Sequence, residues 1–263
     1  MNPLRAAIVR GVKRSGRRGD GVRAPRRGDG YEFAQLRSYV EGDDPRHVDW
    51  AASARIGALQ TRVYLEETAL ILAAFVDESP SMQVGRVRRL STAADEALRS
   101  WFGAAEHDDR ARRIVDERVV EGIPAAIHVT ARTPFSLQRT LEVAARVLPR
   151  GASLLAITDG FDLPAHDDGT LDQLGARCDA TVLLARDPWA DDLPLRGFRR
   201  MRDSETGRAR LLYFGRRERA RFLAAVATRE RSLHERFARA GWRVGVLDAR
   251  DGRASLERAF GVR

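Results

Sequence analysis

The sequence predicts an α/β protein built on a doubly wound, mainly parallel sheet, with an N-terminal helix and strand extension. Three observations predict it. Unbroken apolar runs at 69–76, 152–158 and 179–185 have the length and continuity of strands buried on both faces. Helix-period segments alternate with them, and strands alternating with helices imply a parallel sheet covered on both sides. At 263 residues and 43% hydrophobic, the chain is long enough for one well-buried core and a modest extra lobe.

Taken in order, residues 1–28 carry Arg5, Arg10, Lys13, Arg14, Arg17, Arg18, Arg23, Arg26 and Arg27 among glycines with little apolar content. Such a segment is expected to be a disordered, solvated tail, with contact to an acidic partner as the alternative. Residues 29–68 form an extension. It opens with an apolar segment, Asp44 before Pro45 signals a helix start, and a short helix is expected over roughly 45–56. ALQTRVYLEE then alternates as an exposed or edge strand.

The main domain spans 69–263 and begins with the central strand at 69–76. Val87, Leu90, Ala94, Leu98, Trp101 and Phe102 are spaced as one face of a helix that ends near Gly103. Between 107 and 132, RRIVDERVV and PAAIHVTAR read as two short strands. Thr133-Pro134 looks like an N-cap and first helical position for a helix through Leu137, Leu141, Ala144, Ala145 and Leu148, closed by Pro149 and Gly151. ASLLAIT, GTLDQLGAR and DATVLLA give a strand, a short helix and a strand. A hairpin over 197–214 turns at Glu205-Thr206-Gly207. Phe222, Val226, Leu233, Phe237 and Ala240 line a long helix that Gly241 terminates, and WRVGVLDA is the last core strand.

Composition narrows the function. The net charge of +9 would ordinarily point to an anionic partner. Only Lys13 is lysine, so the excess of arginine reads as GC-rich coding as much as a binding face, and no specific nucleic-acid partner is expected. The single cysteine, Cys178, excludes an internal disulfide and any multi-cysteine metal site, and is expected to be a core filler. No apolar run reaches the 18 or so residues that span a bilayer, so a cytoplasmic protein without a transmembrane segment is expected.

In a doubly wound sheet, ligands collect beyond the carboxyl ends of the strands. There Asp77, Ser79 and Ser81 follow a buried strand at alternate positions, and Asp159 ends another. Thr133 stands on the loop entering the intervening helix, with Ser136 as a near alternative. Two carboxylates and three hydroxyls suit a hard cation such as Mg²⁺ or Mn²⁺. The bland reading is that these are turn-forming and helix-capping residues.

The loop Asp77-Glu78-Ser79-Pro80-Ser81, followed by Thr133 and Asp159, resembles the metal-ion-dependent adhesion site of von Willebrand factor A domains. LRSYVEGDDPRHVDWAASAR, followed by a Leu-x-x-Arg strand, is similar to the bacterial family named only as domain of unknown function fifty-eight. The DSETG turn and the long C-terminal helix fit that family as well, so the resemblance covers roughly residues 29–260. It implies a von Willebrand factor A-like fold and a non-catalytic module whose cation is completed by a partner's carboxylate. The implied partner is a MoxR-type AAA+ ATPase in a chaperone-like or complex-maturation system. Within the family motif, Asp43, Asp44, Arg46, Asp49 and Trp50 stand out. Asp44 is expected to cap the helix, Asp49 and Arg46 to pair with neighbouring charges, and Trp50 to pack against the main sheet, with a partner-binding surface as the alternative.

The competing reading is a metal-dependent hydrolase or phosphotransferase centred on Asp77. A haloacid dehalogenase-type phosphatase would want a second aspartate where Ser79 stands, and no G-x-S-x-G elbow is present. The five histidines show no metal-ligand spacing, and there is no Walker A motif, so nucleotide chemistry would belong to a partner.

Overall fold

The computed structural model describes residues 2–15, 32–65, 69–86, 88–115, 118–123, 135–164, 168–186 and 189–262. In chain order the helix α1 (Pro3–Ser15) comes first, then strand β1 (Glu32–Ser38), helix α2 (Trp50–Ile56) and strand β2 (Gln60–Leu65). There follow β3 (Ile71–Val76), α3 (Leu90–Phe102), β4 (Arg110–Val115), β5 (Arg118–Glu121), α4 (Leu137–Val147) and β6 (Ser153–Thr158). The rest is α5 (Gly169–Arg177), β7 (Asp179–Ala185), β8 (Gly197–Arg202), β9 (Ala209–Phe214), α6 (Arg216–Arg239), β10 (Arg243–Leu247) and α7 (Gly252–Ala259). The chain divides into two compact units, residues 20–69 and residues 1–19 with 70–263.

The smaller unit pairs β1 with β2 antiparallel, and its polar core is tied by Asp43. That carboxylate is buried and accepts from Arg37 (2.6 Å), from the backbone of Val40 (3.0 Å) and from Thr61 (3.3 Å). The expected helix over 45–56 is two pieces. Asp44 caps a 3-10 turn at Pro45–His47, and Asp49 caps α2 by accepting from the Ala52 N–H. Asp49 also pairs with Arg62 at 2.9 Å, as expected. Within this unit Trp50 is 68% exposed, as the first residue of a two-turn helix whose buried face is formed by Ala52 and Ser53. Arg46 makes no ion pair among the described residues; only its backbone N–H is used, in the Asp44 cap.

In the larger unit the sheet order is β10-β7-β6-β3-β4-β5, parallel throughout except for β5. The α/β class and the mainly parallel, doubly wound sheet are therefore as predicted. The two-residue period of a strand sends Leu72, Ala74 and Val76 into a core shared with α1, α3 and α7, and Ala73 and Phe75 into one shared with α4, α5 and α6. Burial on both faces is why β3, β6 and β7 read as unbroken apolar runs.

The largest correction concerns the N-terminus. Pro3–Ser15 is an α-helix, not part of a disordered tail, with Leu4, Ala7 and Ile8 buried in the core. Asn2 caps it by accepting from the Leu4 N–H at 3.0 Å, and Arg5 is paired with Glu106 and Asp109. Gly11 allows α1 to lie against β7, since a Cβ there would stand 2.1 Å from the Asp179 carboxylate. Elsewhere, RRIVDERVV is not one strand but the β4–β5 hairpin, and PAAIHVTAR lies outside the described residues. The helix expected from Pro134 begins instead at Leu137, with Ser136 as N-cap. WRVGVLDA is an edge strand, and the chain continues into α7, which the sequence reading did not foresee. Among the described residues no helix is long and apolar enough to cross a membrane.

Candidate metal centre

Following β3 and after the β4–β5 excursion, the chain crosses to the other side of β3 to form β6, so the winding reverses between these two neighbours. Beyond such a reversal the loops diverge and leave a crevice. Asp77 and Asp159 flank it, one at the end of each strand. The backbone N–H of Asp77 still belongs to the ladder, donating to the Ile157 carbonyl at 2.8 Å, which fixes the start of the loop.

Asp77 is 1% exposed. Its Oδ1 accepts from the Ser79 N–H (2.9 Å) and its Oδ2 from the Thr158 hydroxyl (2.7 Å), which itself accepts from the Gly160 N–H (2.9 Å). Pro80–Gln83 then form a single 3-10 turn pinned by the buried Met82, and the turn brings the Ser81 hydroxyl to Asp159. Ser79 Oγ and Ser81 Oγ are 2.8 Å apart, and Ser81 Oγ donates to Asp159 Oδ2 at 2.5 Å. Asp159 Oδ1 accepts from the Phe161 N–H at 2.9 Å. Gly160 has a φ of +67°, and a Cβ at that position would press to 3.0 Å of Leu233, so the glycine answers both a backbone and a packing need.

Burial, and after it the nearby Asp159 charge, push the Asp77 carboxyl up to about 6. The hydrogen bonds from Ser79 and Thr158 oppose this without cancelling it. Asp77 thus sits in a partly dry site beside a second acid, where a cation would relieve the repulsion. Among the described residues no group of three or more His, Cys, Asp or Glu is placed to hold a metal. A cation here would therefore depend on the serine hydroxyls together with the two aspartates.

The structure thus gathers Asp77, Ser79, Ser81 and Asp159, while Thr133 lies outside the described residues. Ser136 has a different task, since its Oγ accepts from the Arg139 N–H at 3.4 Å as the α4 cap. The start of α4 does approach the Asp159 loop, where Asp162 accepts from the Leu137 N–H at 3.0 Å. Asp43, Asp44, Arg46, Asp49 and Trp50 all belong to the smaller unit.

Two residues at the site had no signal in the sequence. Arg229, one arginine among many on α6, donates to the Asp159 carbonyl at 3.0 Å and lies over the Phe161 ring at 3.5 Å. Glu205, on the β8–β9 turn, accepts from the Ser81 N–H at 2.9 Å across 124 residues of chain. The turn itself was legible, but nothing local says which loop it reaches. Beside the site, Ser81 and Asp159 open onto a cavity of about 600 Å³ whose apolar wall includes Val84, Leu90, Phe161, Trp189, Phe222 and Val226.

The family described as "Protein of unknown function DUF58" matches residues 35–232. Among solved structures, the crystal structure of the conserved hypothetical protein BatB from Bacteroides thetaiotaomicron is similar at 10% identity and a TM-score of 0.40. The alignment covers 73% of this chain and 98% of that one. No curated protein matches the chain.

Proposed function

The chain belongs to the DUF58 family of proteins of unknown function, and we propose that it is a non-catalytic protein-binding module of von Willebrand factor A-like fold. In this reading Asp77, Ser79, Ser81 and Asp159 form a metal-ion-dependent adhesion site for Mg²⁺ or Mn²⁺, with Thr133 adding a hydroxyl from the segment ahead of α4. The observation that carries it is the run of oxygens Ser79 Oγ, Ser81 Oγ and Asp159 Oδ2, spaced 2.8 and 2.5 Å. Neighbouring ligands in an octahedral shell around Mg²⁺ stand about 3 Å apart, so these oxygens can turn together onto one small cation. The donor set is all hard oxygen, as such a cation requires.

When bound, the cation supplies an electrophilic position for an incoming carboxylate. The protein's own residues do the rest. Asp77 and Asp159 provide two negative charges and hold the serine loop in register. The two carboxylates only balance the cation's charge, and because the remaining ligands are neutral hydroxyls and water, the metal stays electrophilic enough to accept a third carboxylate. The partner proposed from the family resemblance is a MoxR-type AAA+ ATPase, met in the cytoplasm in a chaperone-like or complex-maturation system.

Pull-down of such an ATPase by the wild type and by Asp77→Ala, each in Mg²⁺ and in EDTA, tests this. Retention by the wild type in Mg²⁺ alone is expected. Equal retention in all four conditions refutes metal-bridged recognition. Mg²⁺-dependent turnover of a phosphate ester that disappears with Asp77→Ala would instead favour a hydrolase.

A further inference from the structure

The hairpin turn that touches the metal loop is built to hold a carboxylate there. Asp203 Oδ1 accepts from the N–H groups of both Glu205 (3.0 Å) and Thr206 (2.8 Å). The Asp203 N–H donates to the Arg208 carbonyl, and the Gly207 N–H returns to the Asp203 carbonyl, each at 2.9 Å. Gly207 takes a φ of +66°, which closes the turn. Those turn N–H groups hold the Asp203 carboxyl below its ordinary value, so it stays an acceptor over the neutral range. The result is a fixed platform whose one projecting acid, Glu205, reaches Ser81 N at 2.9 Å. Ser81 is also the residue whose hydroxyl bonds Ser79 and Asp159, so the third carboxylate is bonded to the backbone of a candidate ligand. Glu205 Oε2 makes no hydrogen bond or ion pair among the described residues. Asp77, Asp159 and Glu205 do not form a compact ligand triad, which places Glu205 at the rim of the site.

The platform is also easy to displace. A two-stranded hairpin is marginal by itself. Phe198 and Leu211 are 67% and 69% exposed, and Tyr213 is exposed as well, so the hairpin buries little apolar surface to hold it down.

We propose that Glu205 is the site's own carboxylate, through which the β8–β9 turn caps the metal loop until an acidic group on a partner displaces it. This rests on the metal-site reading above. As an outer-sphere acid, Glu205 places a third negative charge beside the cation, and it occupies the approach a partner's carboxylate would use. Binding of a partner then releases the hairpin, coupling recognition to mobility of the turn.

The test is calorimetric titration of MgCl₂ into the full-length wild type, E205A, E205Q and Asp77→Ala, with hydrogen exchange of residues 197–214 followed with and without Mg²⁺. Acetate is then titrated into each Mg²⁺-loaded protein. Expected is Mg²⁺ affinity about tenfold weaker in both Glu205 variants, as for loss of an outer-shell partner. Mg²⁺ should slow exchange of the turn only in the wild type, and acetate should bind the variants several-fold tighter than the wild type. E205Q keeps an oxygen able to accept from Ser81 N. If E205Q matches the wild type in all three readouts, Glu205 is a structural hydrogen-bond acceptor and the cap is overturned, while Mg²⁺ binding lost in Asp77→Ala keeps the metal site standing. Absence of Mg²⁺ binding by the wild type overturns both.

Discussion

Replacing Asp77 by asparagine separates the electrostatics of the metal loop from its packing. Burial and the Asp159 charge raise the Asp77 carboxyl from 3.8 to about 6. At about 1.4 kcal/mol per pKa unit, keeping it ionised costs the metal-free fold about 3 kcal/mol at pH 8. Because the folded value lies above the unfolded one, the neutral carboxyl's contribution is complete below the unfolded value and is lost as pH rises through the folded one. At pH 5 about half of the cost is already present, since the unfolded chain has ionised there and the folded one has not. Asparagine removes the charge and keeps an oxygen for the Ser79 N–H, but it turns an amide toward the Thr158 hydroxyl, which loses its acceptor. That loss costs about 1 kcal/mol at either pH.

The variant is therefore expected to be more stable than the metal-free wild type by about 2 kcal/mol at pH 8 and by well under 1 kcal/mol at pH 5. For a chain of this size the difference in Tm should widen by about 3–6 °C between the two pH values. Saturating Mg²⁺ should reverse the order at pH 8, since a ligand at a hundred times its Kd adds about 2.7 kcal/mol to the wild type and little to the variant. Thermal melts in EDTA and in Mg²⁺ at both pH values measure all of this. A Tm gap that stays constant from pH 5 to pH 8 refutes the electrostatic argument.

Truncation of residues 1–15 should destabilise the protein by several kcal/mol, because Leu4 and Ile8 are each worth about 1.5–3 kcal/mol when fully buried; an unchanged denaturant midpoint would show that α1 does not pack. Asp43→Ala should cost about 2–4 kcal/mol by stranding Arg37, the Val40 N–H and Thr61, whereas Trp50→Ala should move the melting temperature very little; similar losses in both would contradict the burial pattern. Cys178, buried and with its thiol pushed up to about 11 by desolvation, should resist thiol reagents at pH 8 until the chain is unfolded, so stoichiometric labelling of the native protein would place it at the surface.

What could be read from the sequence was what depends on near neighbours along the chain. Ile71–Val76, Ser153–Thr158 and Asp179–Ala185 announce themselves because a strand covered on both faces has no polar side to show. The loop residues Asp77, Ser79, Ser81 and Asp159 follow from knowing where such strands end. The N-terminal helix has a pattern of its own in the sequence. Leu4, Ala7, Ile8, Gly11 and Val12 keep helical spacing, yet the arginines between them weighed toward disorder. Arg5 is the reason that composition misled, since its charge is matched by Glu106 and Asp109 about a hundred residues away. The start of α4 is ambiguous in the sequence because two hydroxyls, Thr133 and Ser136, offer the same capping chemistry. Choosing between them depends on contacts such as Asp162 to the Leu137 N–H, which the local pattern does not encode.

The same division runs through the site itself. Asp77 is placed by the sheet, through the ladder bond from its N–H to Ile157, and Met82 anchors the serine turn from below. These positions follow from local sequence and from the core, and they form the rigid half. Asp159 is set by longer contacts, with Arg229 of α6 on its carbonyl and Ser81 on its carboxylate, while Glu205 arrives from a hairpin that buries little of itself. Ion pairs and hydrogen bonds at an exposed rim are weak and exchange readily, whereas a buried strand does not shift without cost. A ligand at this crevice thus meets two buried carboxylates set at strand ends, Asp77 and Asp159, and a third, Glu205, carried to the rim by a hairpin that buries little of itself.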